Sequence, residues 1–128
     1  MRFYLSKIVL GGFDDVVQRT VLALQAEGFG ILTDIDVRET LKKKLDVAWR
    51  PYRILGACNP PLAHRALMAE DKIGTMLPCN VIVQDIGDGR IEVATIDPTK
   101  AMAHVGSATL AELATEVRDK LEAVLDRL

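Results

Sequence analysis

One turn constrains the fold more than any other feature of this chain. Gly87-Asp88-Gly89 separates two strand-like runs, residues 79–85 with alternating Val81 and Val83, and residues 90–96. Asp-Gly accepts the positive φ of a tight hairpin, so the two runs must pair antiparallel. The remaining order reads strand (3–10), helix, strand (31–37), short helix, strand (52–58), helix (59 to about 69), the hairpin, and a last helix. That order predicts an α+β fold: a mainly antiparallel sheet of about five strands with helices packed on one face. At 128 residues a single domain over 1–128 is expected.

Local signals punctuate these elements. Residues 3–10 are apolar on both parities, which predicts a buried strand. After Gly11-Gly12, Asp14 is expected to cap a helix with Val17, Val21 and Leu24 on one face. Gly28 ends it, and Phe29 is placed to fold back onto Leu24. Asp36 with Glu39 resembles a capping box and opens a short helix carrying Leu41 and Leu45. Asn59 caps the next helix, and Pro60 suits its first turn. Residues 71–78 and 99–106 read as loops. Thr109 and Glu112 form a capping box before an apolar stripe of Leu110, Leu113, Ala114, Val117, Leu121, Val124, Leu125 and Leu128.

Composition narrows the class of function. Sixteen Lys and Arg against 18 Asp and Glu give a formal charge of -2, so the chain as a whole exerts no strong pull on nucleic acid or an anionic membrane. No apolar run approaches the ~20 residues that cross a bilayer. No secretory leader is seen, and a cytoplasmic setting with reduced thiols is expected. Two cysteines are too few for a disulfide scaffold.

The segment Tyr52-Arg53-Ile54-Leu55-Gly56-Ala57-Cys58-Asn59-Pro60-Pro61-Leu62-Ala63-His64-Arg65-Ala66-Leu67 and the segment Ile73-Gly74-Thr75-Met76-Leu77-Pro78-Cys79-Asn80-Val81-Ile82-Val83 are distinctive. Together they resemble the uncharacterised bacterial and archaeal domain family numbered three hundred and two among the domains of unknown function. The stretch from Glu27 to Val37 is similar to the same family. The resemblance spans nearly the whole chain. It implies a small α+β domain with an antiparallel sheet, forming a homodimer, and it brings no established reaction.

The residues that carry chemistry cluster around the two Cys-Asn dipeptides. Cys58 ends a strand just before a helix N-terminus, where unpaired N–H groups and the helix dipole favour a thiolate. Cys79 opens a later strand and is followed by Asn80; if that strand neighbours the one ending at Cys58, the two sulfurs lie close together. The plain alternative is that both cysteines are small buried hydrophobes and Asn59 only a cap. His64, one turn into the helix, and Met68 at i+4 would complete a soft metal site for copper(I) or zinc with Cys58 and Cys79, although the spacing matches no standard ligand motif. A lone helix histidine is more often a surface residue, and His104 near Met102 is weaker still. Asp34 and Asp36 alternate on a strand and so share a face; a cation site or a solvated edge with a helix cap both satisfy that spacing. Gly28-Phe29-Gly30 follows a helix and lacks the third glycine, which excludes a dinucleotide fingerprint. Lys42-Lys43-Lys44 reads as a solvated basic face, and Trp49-Arg50-Pro51-Tyr52 as a pocket rim, an interface or a core cap.

Three functions follow. The first is a binding domain that gathers Cys58, Asn59, His64, Cys79 and Asn80 around a small molecule or soft metal ion. The second is a homodimeric interaction module without chemistry. The third is a thiol-dependent enzyme with Cys58 as nucleophile, assisted by His64 or Cys79.

Overall fold

The structure, a computed structural model, describes residues 2–128. Five strands form one antiparallel sheet in the order β1-β5-β4-β3-β2. They are β1 (Tyr4–Leu10), β2 (Gly30–Asp36), β3 (Tyr52–Cys58), β4 (Cys79–Gly87) and β5 (Arg90–Ile96). The helices are α1 (Phe13–Ala26), α2 (Val37–Leu45), α3 (Pro60–Ala69), α4 (Pro98–Ala101) and α5 (Ala108–Asp126), with a 3-10 helix at Asp71–Met76. The α+β class and the antiparallel sheet expected from the hairpin are therefore what the chain forms. Asp88 and Gly89 take φ of 58° and 71°, as a tight hairpin of this hand requires.

Strand alternation divides the sheet into two faces. One row (Val9, Leu55, Ala57, Val81, Val83, Ile91, Val93) is buried against α1 and α5. The opposite row stays half-buried: Ile54 is paired with Ile82, Ile82 with Ala94, and Gln84 with Glu92. α1 contributes Val16, Val17, Ala23 and Leu24 to this core; α5 contributes Leu121, Val124 and Leu125. A second apolar cluster (Leu62, Ala66, Ile73, Leu110, Leu113) sits where α3 meets the N-terminal half of α5.

Several boundaries differ from expectation, each for a physical reason. β1 is an edge strand, not a buried one: Ile8 is 46% and Leu10 74% exposed, because only the face carrying Val9 meets helices. α1 starts two residues earlier than a cap at Asp14 requires, with Gly12 at the cap and no side-chain cap bond. Asp14 and Asp15 lie in the first turn instead, where their charge suits the helix dipole. α5 is capped by Ser107, whose hydroxyl accepts from the Leu110 N–H at 3.2 Å. Starting there, and not at Thr109, adds Ala108 and Thr109 to the helix and puts the buried Leu110 in its first turn. The stretches 71–78 and 99–106 are not bare loops; they contain the 3-10 helix and part of α4.

Other local readings hold. Phe29 N–H donates to Leu24 C=O and Gly28 N–H to Gln25 C=O, closing α1 with the back-folded apolar contact. Asp36 accepts from the Glu39 N–H at 2.9 Å and opens α2. Asn59 accepts from the Leu62 N–H at 3.4 Å and opens α3.

Candidate functional site

The ends of β3 and β4 meet α3, α4 and α5 at the seam between the two apolar clusters. A cavity of about 40 Å³ lies there. Phe29 and Ala57 from the sheet side, Leu62 and Ala66 from α3, Met102 beyond α4, and Leu110, Leu113 and Ala114 from α5 form its apolar walls. Cys58, Asn59, Pro78 and Cys79 complete the lining.

Register explains the juxtaposition of the cysteines. Ala57 stands directly opposite Cys79, so Cys58 lies one step beyond that pair. Cys79 is buried and Cys58 is half-buried, and both thiols are free. Burial, reinforced by the proximity of Cys58, pushes the Cys79 thiol up to about 11. It therefore stays protonated at neutral pH. Gly56 lets the neighbouring chain close in: a Cβ there would stand 2.2 Å from Thr33 Oγ1 and 2.8 Å from Pro78 Cγ. Any side chain at this position would lift Pro78, and with it the start of β4.

Two of the five expected pocket residues are placed elsewhere. His64 is exposed, as is Met68, because α3 turns Leu62 and Ala66 inward and leaves the opposite side to solvent. Asn80 is exposed and lines a shallow groove on the other face of the sheet, as strand alternation after Cys79 requires. Cys58, Asn59 and Cys79 are brought together. Among the described residues no group of three or more His, Cys, Asp or Glu side chains is arranged to hold a metal ion. His104 is exposed, whereas its neighbour Met102 lines the cavity.

The acidic pair on β2 is divided between two structural tasks. Asp34 is held by the Arg53 guanidinium, with Nε donating to Oδ1 at 2.8 Å and Nη2 to Oδ2. These bonds keep its carboxyl below the ordinary range. Asp36 caps α2. The spacing thus serves a solvated edge and a cap.

Asp97, the residue between β5 and α4, organises one wall of the cavity. It is 4% exposed. Its Oδ1 accepts from the Thr99 N–H at 3.0 Å and the Thr99 hydroxyl at 2.6 Å, and its Oδ2 accepts from Arg118 Nε at 3.2 Å. Burial alone would push this carboxyl up, but the Thr99 and Arg118 hydrogen bonds outweigh it and hold the pKa below the usual value. Asp97 so fixes α4, and with it Pro98 and Met102, against α5. The Asp97-Pro98 dipeptide gave a turn signal; the Arg118 partner 21 residues away gave none.

This is an α+β domain with a one-sided antiparallel sheet and an apolar, thiol-bearing cavity at its strand ends. Residues 6–128 match the family model described as domain of unknown function DUF302, and the chain belongs to that family. Its fold is similar to the crystal structure of an uncharacterised conserved DUF302 protein from Bacillus stearothermophilus, with 30% identity, 99% of this chain and 98% of that chain covered, and a TM-score of 0.91. No curated protein matches the chain. Among the described residues no helix is long and apolar enough to cross a membrane.

Proposed function

We propose that this domain binds a small, uncharged, apolar molecule, or the apolar end of a larger one, in the cavity at the strand ends. The observation that supports this most is the lining: apolar side chains from both clusters, with Cys58 and Asn59 as the polar-capable groups. At about 40 Å³ the cavity accepts one small apolar group as it stands. Larger guests require the half-buried Met102 and Leu77 to swing aside, and Met is suited to that by its three unbranched torsions. Among the described residues no third His, Cys, Asp or Glu joins Cys58 and Cys79 in a metal-holding group, so a neutral guest is preferred over a soft metal ion. In a reducing compartment such as the cytoplasm both thiols remain free.

Benzene, a guest large enough to require the movement of Met102 and Leu77, tests this reading through the thermal midpoint. At ten times its dissociation constant, a bound guest stabilises by about 1.4 kcal/mol, which raises the midpoint by about 3–5 °C for a chain of this size. Ala63→Val, which adds two methyl groups at the cavity wall, should abolish the rise. A rise of equal size in both proteins, or a midpoint that only falls, would refute specific occupancy of this cavity.

A second reading concerns assembly, and the half-buried face of the sheet favours it. Tyr4, Tyr52, Ile82, Ala94 and Ile96 line a groove there, with Gln84 donating to Glu92 at 2.7 Å in its floor. We infer that a second copy of the chain packs on this face, which leaves the cavity on the opposite side of the sheet open to its ligand.

A further inference from the structure

α2 and the segment that follows it stand apart from the rest of the molecule. The nine residues of α2 contribute no buried side chain. At its end and directly after it, Leu45 is 66%, Val47 42% and Trp49 40% exposed. Residues 38–50 hold five cations (Arg38, Lys42, Lys43, Lys44, Arg50) and two acids (Glu39, Asp46), a local charge of +3. The rest of the chain therefore carries -5, and the overall value of -2 conceals a strong segregation. Lys42 pairs with Asp46 and Lys43 with Glu39. Arg38 and Lys44 pair with no carboxylate among the described residues. Arg50 stacks over the Trp49 ring at 4.5 Å and donates to Gln84, a neutral amide.

We propose that this corner docks the domain on an anionic lipid surface. Three observations carry the choice of partner. Unpaired cations flank exposed aliphatic and indole side chains, the combination that seats a segment at a headgroup boundary. The apolar residues are single and alternate with Asp46, Ala48 and Arg50 along the chain. Val47 and Trp49 line one open groove with Arg38, Lys42 and Lys43, which sets apolar and cationic side chains side by side at the surface, as a headgroup boundary requires. The excess of positive charge over residues 38–50 also draws this corner toward an anionic surface, with Asp36, Asp14 and Asp15 as the acidic side chains that border it. The near-neutral net charge averages over this local excess of cations.

Trp49 is the sole tryptophan, so its emission reports on this corner alone. The full chain is titrated with vesicles of phosphatidylcholine, and with vesicles of equimolar phosphatidylcholine and phosphatidylglycerol. The expected result is a blue shift with the anionic vesicles only, suppressed by high salt. Lys44→Glu should weaken the apparent affinity about tenfold, and Leu45→Ser should reduce the shift. Both side chains are exposed, and circular dichroism confirms that the variants stay folded. No shift with anionic vesicles, equal shifts with neutral vesicles, or an unchanged response of Lys44→Glu would each overturn the proposal. A shift with soluble polyglutamate but not with vesicles would overturn it in favour of an acidic protein partner.

Discussion

Cys58 and Cys79 differ in accessibility although both border one cavity. Cys58 is half-buried at a strand end; Cys79 is buried and its thiol sits at about 11. The native protein should therefore release one equivalent of thionitrobenzoate from Ellman's reagent at neutral pH, with the second appearing only on denaturation. Two equivalents of similar rate in the native state would contradict the burial of Cys79. The sequence indicated that each cysteine stands at a strand end, because the flanking Asn and Pro residues mark the ends; that the two strands adjoin comes from the sheet order. It could not place His64 or Asn80 correctly. Both sit within a few residues of the cysteines, but helix and strand periodicity send them to other surfaces, and proximity in sequence is a poor guide where side chains alternate. Arg118 was silent for the complementary reason. Its contact with Asp97 depends on how α5 packs against α4, and no local pattern encodes that packing.

At the level of elements, caps decide where helices begin, and the competition at the start of α5 is instructive. Thr109 with Glu112 satisfies the capping-box pattern, yet Ser107 makes the bond, and Thr109 lies inside the helix. Ser107→Ala should cost about 1 kcal/mol, measured by urea denaturation. Thr109→Ala, at an exposed position inside the helix, should change stability by less than about 0.5 kcal/mol. The reverse ranking would show that the helix starts at Thr109. The apolar stripe of α5 was legible in full because a 3.6-residue period over 19 residues is a strong signal. The 3-10 helix and α4 were not, since neither is long enough to show a period. α2 fits its expected capping residue, but Leu41 and Leu45 do not carry it into the core. Its role is outward.

For the whole molecule, the hairpin and the order of elements were enough to give the sheet and the side on which helices pack. β1 was misjudged as buried because an apolar residue facing solvent on an open sheet looks, in sequence, like one facing a core. That ambiguity concerns the same surface on which a second copy is proposed to pack. Sedimentation at micromolar concentration should give a dimer, and Ile82→Asp, placing a charge in the middle of that face, should give a folded monomer. A wild-type monomer would remove this assembly from the account.

The central claim is that the seam between the two apolar clusters is a ligand cavity. A crystal of the protein pressurised with xenon reads this directly, because xenon enters dry apolar cavities of atomic size and is located by its anomalous scattering. The account predicts an ordered xenon atom in the space walled by Leu62, Met102 and Leu110. Xenon at other sites of the crystal, with none between these residues, would contradict it.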